Sequence, residues 1–367
     1  MLTGGITSHH TLLADGRDLI YYDDANTTLA TERAADARHL DARPATATMR
    51  QDPLTAEWIS IAAARQNRVV LPPADLDPLA PQTPTNPSEV PSRYDVAVFE
   101  NRSPSFGPDL GALDLEGIGI GRTAPSHGRC EVVCFSPEHD GSFATLGTGR
   151  VRTVIEAWAD RTAALSVLDG VEQVFPFENR GEAIGVTLHH PHGQIYAYPY
   201  VTPRTQRLLA SIDSYGDDLI ADILAFERAS ERVVLEGEHW TAYVPFAARW
   251  PLEVHLVPHR AVPDFAETTE TERDELAVVY PAVLRGLDAL YDTPTPYIAA
   301  WHQAPVRTGR DVVRLTLQLT SPRRGANKLK YLAGSEAAMG AWIGDILPEQ
   351  QAAVIRDGIA RTEGARP

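Results

Sequence analysis

At 367 residues, with an apolar fraction of 43%, the chain is long enough for two packed domains and apolar enough to bury an interior, which excludes a disordered or fibrous protein. Its 49 acidic residues against 33 basic ones give a formal net charge of -16, which disfavours the basic footprint needed for nucleic acid or an anionic lipid surface. A nucleotide would have to be held by a few local basic groups. Cys130 and Cys134 are the two cysteines, and on an extended segment an i,i+4 pair lies too far apart for a disulfide. Two free thiols point to a reducing compartment. Met1 to Leu13 lacks the basic and apolar stretches of a leader, and no apolar run approaches membrane-spanning length, so the expected location is the cytoplasm.

In chain order, residues 1–45 read as a polar arm with one strand-like run at Leu19 to Tyr22. Half-buried strands are expected over Trp58 to Arg68 and Tyr94 to Asn101, separated by a loop from Pro72 to Pro91 that holds seven prolines. Further strands are expected at Cys130 to Phe135 and Ala183 to Leu188, with a helix over Arg150 to Leu168. Leu208 to Phe226 and Thr269 to Tyr291 have helical periodicity, and strands return at Trp240 to Pro245, Leu252 to Pro258 and Val312 to Leu319. Helices that do not alternate one for one with strands give an α+β class rather than a doubly wound sheet. The halves also look related at a spacing of about 120 residues. Cys134-Phe-Ser-Pro-Glu-His139 matches His255-Leu-Val-Pro-His259, and His190-Pro-His192-Gly-Gln194 matches Arg314-Leu-Thr316-Leu-Gln318.

The densest chemistry lies in His189-His-Pro-His-Gly-Gln-Ile-Tyr-Ala197. On an extended backbone residues two apart share a face, so His190, His192 and Gln194 are expected to point into one pocket. A neutral imidazole is a competent nucleophile toward phosphorus, and Gln194 can donate to a phosphoryl oxygen as charge builds there. Gly117-Ile-Gly-Ile-Gly121 lacks the spacing of a dinucleotide fingerprint, and His9-His10 reads as an exposed pair.

The run Phe177 to Gln194 closely resembles the active-site signature of the galactose-1-phosphate uridylyltransferases, a branch of the histidine-triad superfamily. Leu13 to Asp24, Asp52 to Trp58, Phe99-Glu-Asn101, Cys134 to His139, Trp301-His-Gln-Ala-Pro305 and Lys328 to Glu336 resemble further blocks of that family, in its order. The resemblance implies two fused histidine-triad-like domains, each an antiparallel sheet with packed helices. The first, over residues 46–210, is catalytic, and the second, over 211–367, is degenerate. It further implies transfer of UMP between UDP-glucose and a hexose 1-phosphate, in a homodimer whose sites are shared between subunits. His192 would be the nucleophile, Gln194 the phosphate-binding glutamine and His190 its neighbour in the catalytic motif. Asn179 and Thr187 would line the phosphate site, and Arg65 and Arg68 would lie near the nucleotide phosphates. Phe99 and Asn101 would contact the nucleoside. Lys330 and Glu336 would reach the sugar in the neighbouring subunit's site.

Many members of that family bind zinc through Cys-x-x-Cys, a later His and the first His of His-Pro-His. Here the cysteine loop reads Asp77-Pro-Leu-Ala80, leaving Asp77, His139 and His190 as at most three ligands where structural zinc takes four. A second metal site of some members keeps only His302, with Arg314 and Thr316 in place of a His pair, and Arg314 is expected to bridge acceptors there instead. Zinc is therefore possible at a degraded site, and no cofactor is required. Transfer to another acceptor or from another nucleotide, nucleotide hydrolysis and non-catalytic nucleotide binding remain alternatives.

Overall fold

The computed structural model describes residues 2–41, 48–63, 66, 71–108 and 119–363. Among the described residues, fourteen strands build the two larger sheets: β1 (Thr7–Leu12), β2 (Asp18–Asp23), β3 (Thr48–Gln51), β4 (Trp58–Ile61), β5 (Val96–Glu100), β6 (Arg122–Pro125), β7 (Arg129–Cys134), β8 (Gln173–Arg180), β9 (His192–Tyr198), β10 (Val233–Glu236), β11 (Trp240–Tyr243), β12 (Leu252–Pro258), β13 (Tyr297–His302) and β14 (Thr316–Ser321). Eleven of them form one antiparallel sheet in the order β1-β2-β5-β7-β9-β8-β13-β14-β12-β11-β10, while β4, β3 and β6 make a separate small sheet. The helices are α1 (Thr148–Ser166), α2 (Pro203–Tyr215), α3 (Leu219–Arg228), α4 (Glu270–Asp288) and α5 (Pro348–Glu363). The class is α+β, as expected.

The two halves meet edge to edge where β8 pairs with β13, and the strand order repeats outward from that seam. Gln194 on β9 stands opposite Val132 and Phe177, and Gln318 on β14 stands opposite His255 and Ala300. Phe177 and Ala300 face each other across the seam, so an approximate two-fold axis passes through that pair. Each half then adds a single 3-10 turn starting at a phenylalanine, Phe143 or Phe265, and a helix of 19 residues, α1 or α4. The match of Gln194 with Gln318 read from sequence is the observed register. The match of Cys134 with His255 is not, because Val132 holds the place equivalent to His255.

The main core lies between the sheet and helices α1 and α4, and draws on both halves: Val133, Ile195, Trp158 and Phe143 from the first, Val254, Leu317, Tyr280 and Trp301 from the second. α4 starts where it does because Thr269 and Glu272 form a capping box, Thr269 Oγ1 accepting from Glu272 N at 3.2 Å and Glu272 Oε2 accepting from Thr269 N at 2.7 Å. On the opposite face of the first half a second cluster joins Tyr21, Tyr94, Phe99, Val132 and Cys134 under Leu79 of the proline-rich loop. The candidate site is built on this second face.

Several expectations give way to local chemistry. β1 and β2 place much of the polar N-terminal stretch inside the main sheet, with β2 paired along β5 and nearly all buried. Ala183 to Leu188 is not a strand: Gly181 and Gly185 bracket a 3-10 turn, Glu182–Ile184, that lifts the chain off the sheet. The helix expected over Leu208 to Phe226 breaks at Gly216, whose φ of 79° closes α2 with a left-handed cap that a side chain would disfavour. β4 stops at Ile61, and Arg65 and Arg68 lie outside the described residues. So do Gly117 and Ile118 of the Gly117 to Gly121 run. β14 begins only at Thr316. Both cysteines are buried outside any disulfide, and burial pushes the Cys134 thiol up, so it is held protonated.

Beside the seam, Glu178 lies buried within 3.0 Å of the Tyr297 hydroxyl. Burial pushes its carboxyl up to about 8, with Arg180 pulling the other way. The fold thus favours the neutral acid. Its contribution to stability is complete below the ordinary value of about 4.5 and is lost as pH rises through about 8. Glu178→Gln is expected to flatten the decline in melting temperature between about pH 4.5 and pH 8, and an unchanged slope would show that another group sets it.

Candidate active site

β9 owes its position to its first four residues. Pro191 cannot donate to a ladder, and its carbonyl instead accepts from Phe135 N at 3.1 Å, so regular pairing begins at His192 opposite Cys134. From there side chains alternate, with Gly193, Ile195 and Ala197 buried toward the helices and His192, Gln194 and Tyr196 on the other face. Gly193 is required by crowding: a Cβ there would meet Phe135 Cζ at 2.8 Å and Phe177 O at 2.9 Å. The strand that carries His192 and Gln194 is therefore pressed directly onto its neighbours.

His192 and Gln194 open into a cleft of about 200 Å³. Its walls are Pro78 and Leu79 from the proline-rich loop, Asn101, Arg102 and Ser103 from the turn after β5, Val132 from β7, and Thr187 and Leu188 from the segment before β9. The Asn101 side-chain oxygen accepts from Ser103 N at 2.9 Å, which fixes that turn, and the Thr187 carbonyl accepts from Leu71 N at 2.8 Å, which ties the approach to β9 to the loop. Polar donors on two sides and apolar walls between them suit a nucleotide.

His192 is oriented by its own chain. Its Nδ1 lies 2.7 Å from the His190 carbonyl, and because a carbonyl only accepts, Nδ1 carries the proton and Nε2 keeps its lone pair. Burial lowers the His192 pKa, against the opposing pull of that carbonyl, so the ring stays neutral near pH 7.

His190 does not share the pocket, contrary to the shared-face expectation. It precedes β9, and its ring is 1% exposed, turned away from the cleft. There Nδ1 lies 2.7 Å from Asp77 Oδ2, and Nε2 lies 2.7 Å from the Ser136 carbonyl and 3.1 Å from the Tyr94 hydroxyl. His139 Nδ1 approaches the same Asp77 Oδ2 at 2.8 Å. Asp77, His139 and His190 offer ligand atoms within 4.8 Å of one another, a group that could hold a metal ion. The fit to a structural zinc is poor. The Nδ1 atoms of His139 and His190 both lie at hydrogen-bond distance from Asp77 Oδ2 itself, and Ala80 supplies no fourth ligand. The hydrogen bonds hold Asp77 ionised, its carboxyl lowered to about 2 in spite of burial.

Two family models cover most of the chain: the N-terminal domain of galactose-1-phosphate uridyl transferase matches residues 32–202, and its C-terminal domain matches residues 202–362. The chain belongs to the galactose-1-phosphate uridyl transferase family. It is 48% identical to a galactose-1-phosphate uridylyltransferase of Streptomyces lividans over 80% of each chain. It is 35% identical to the enzyme of that name from Thermotoga maritima over 84% of this chain and 98% of the other. A solved uridylyltransferase structure superposes with a TM-score of 0.75 at 30% identity, covering 86% of this chain and 99% of that one.

Of the family positions read from sequence, His192, Gln194, Asn101 and Thr187 converge on the cleft. Phe99 lies beneath it, 3% exposed in the second core cluster, and Asn179 sits on β8 opposite Ile298 of the seam. Lys330 and Glu336 are not among the cleft's lining residues. Lys330 is 3% exposed, and its ammonium donates to the carbonyls of Arg249 and Ile343 beside Glu336. Arg102, Ser103 and Leu188 were not singled out from sequence, although they adjoin the Asn101 and Thr187 positions that were. In the second half, Arg314 pairs with Asp218, the N-cap of α3, so its bridge ties β14 to a helix start. His302 stays neutral, lowered to about 3 by burial and then by Arg204.

Among the described residues no helix is long and apolar enough to cross a membrane.

Proposed function

We propose that the protein transfers UMP between UDP-glucose and a hexose 1-phosphate by double displacement on His192. Family membership supports the overall reaction, and the observation that carries the mechanism is the 2.7 Å contact from His192 Nδ1 to the His190 carbonyl, which leaves Nε2 free in the cleft. Nε2 attacks the α-phosphorus of UDP-glucose. The bond from that phosphorus to the bridging oxygen breaks, and glucose 1-phosphate leaves. A phosphate oxygen of a second hexose 1-phosphate then attacks the uridylyl-histidine and returns the electron pair to Nε2. One phosphoanhydride is exchanged for another, so the reaction is close to balanced and needs no further energy source.

Gln194, two residues along the same face, donates to a phosphoryl oxygen as charge develops. Gln194→Ala is expected to lower kcat by about 100-fold to 1,000-fold with little change in KM, measured by UDP-hexose formation. In this reading Arg65 and Arg68 lie near the nucleotide phosphates, Phe99 and Asn101 position the nucleoside, and Asn179 and Thr187 complete the phosphate site. Zinc takes no part in these steps. Lys330 and Glu336 serve the sugar of a second copy's site, which makes a homodimer the expected working unit. A cytoplasmic location is in keeping with two cysteines outside any disulfide.

UDP-glucose labelled at the α-phosphate tests the mechanism. The protein should take up acid-labile label and lose it when galactose 1-phosphate is added, with parallel double-reciprocal lines in steady state. Loss of label to water alone would assign a hydrolase. Sequential kinetics without labelled protein would reject His192 as the carrier.

A further inference from the structure

The geometry points to Asp77 as a positioning residue that does, as a carboxylate, the holding work otherwise given to a metal ion. This inference rests on the reading of His192 as nucleophile.

Asp77 is 1% exposed. Its Oδ2 accepts from His139 Nδ1 at 2.8 Å and from His190 Nδ1 at 2.7 Å, while its Oδ1 accepts from Leu79 N at 2.9 Å. Its own carbonyl accepts from Asn86 Nδ2 at 2.7 Å. One carboxylate thus gathers three chain segments: the proline-rich loop, the turn after β7 that bears His139, and His190 on the approach to β9. A second clasp closes over it. The Tyr94 hydroxyl lies 2.7 Å from the Leu79 carbonyl and 2.9 Å from the Ser136 carbonyl, the same oxygen that receives His190 Nε2.

The arrangement matters because His190 presents two different groups in two directions. Its ring is locked by Asp77 and Ser136, and its peptide carbonyl, held by that lock, sets the proton and the orientation of His192. Leu79, fixed by Asp77 Oδ1, is itself a wall of the cleft. A metal ion in this place would use lone pairs from both imidazoles. Here both Nδ1 atoms instead lie at hydrogen-bond distance from the oxygen that would have been a fellow ligand. Asp77 acts through His190 and touches no substrate, as outer-shell partners do when they set the orientation of a reactive imidazole.

Asp77→Asn tests the assignment. The amide keeps the shape and can still accept from Leu79 N, but its NH2 then meets two ring N–H donors. Its kcat is expected to fall by about 10-fold to 100-fold with KM for UDP-glucose within about twofold. In the 15N-histidine NMR spectrum of uniformly labelled protein, the His192 signal should lose its single Nδ1–H form. Metal analysis of the purified wild type should find well under one zinc per chain, and chelator should leave both rate and melting temperature unchanged. One zinc per chain whose removal abolishes activity would overturn the proposal, as would Asp77→Asn with unaltered kcat and an unaltered His192 spectrum. Should Asp77→Asn fail to fold, the metal content and chelator response of the wild type still decide between carboxylate and metal. Should the wild type form no uridylyl-protein, the NMR and metal readouts still report on the clasp, so failure of the mechanism is told apart from failure of this inference.

Discussion

His192→Ala is expected to lower turnover by at least about 10,000-fold and to abolish labelling of the protein by UDP-glucose, while the melting temperature moves little. No neighbouring group can replace the lost lone pair. The His190 ring is turned away from the cleft onto Asp77 and the Ser136 carbonyl, and Gln194 is not a nucleophile. The side chain of His192 lines an open cleft and packs into no core cluster, so its truncation leaves no buried cavity. His192→Gly with added imidazole should recover part of the rate, because the cleft is already shaped around a free ring. A His192→Ala protein with wild-type turnover would reject the double displacement.

Trp158→Ala is expected to cost about 3–5 kcal/mol of stability, the range for removing a large buried aromatic side chain. Trp158 is 2% exposed and stacks on Phe143 at 5.6 Å, with Phe265 at 5.4 Å, Trp301 at 5.9 Å and Phe135 at 6.3 Å. Two of these neighbours come from the first half and two from the second, so the indole is common to both. Denaturant unfolding should therefore stay a single transition displaced to lower concentration. Two separated transitions would show that the halves unfold independently.

Much of the fold was legible because strong local signals agreed with tertiary context. Leu252 to Pro258 was read with its observed bounds, and α1 and α4 fall within two residues or so of the periodic stretches that announced them. β8 carries the charged Glu178 buried beside the seam and Arg180 half-buried at its end, so its alternation is blurred where two sheet edges meet. Ala183 to Leu188 has strand-like composition, but the two flanking glycines decide its path. At the site, the catalytic strand was legible through its histidines and Gly193. The direction in which His190 points was not, because the break in pairing at Pro191 turns that residue out of the two-residue alternation. Nor could spacing show that Lys330 binds backbone carbonyls, since its partners, Arg249 and Ile343, are distant in sequence or in a loop.

The seam between β8 and β13 carries a further lesson. Because its register maps onto itself under the approximate two-fold axis, with Phe177 opposite Ala300, each half ends in a strand already shaped to receive its own kind in antiparallel fashion. Cutting the chain between the halves would bare the edge of β8 from Phe177 to Arg180, with its amides and carbonyls unpaired. A separately expressed first half should thus not stay single. It should self-associate through that strand and rebuild a continuous sheet from two identical units, the assembly that a tandem gene fusion would have made permanent.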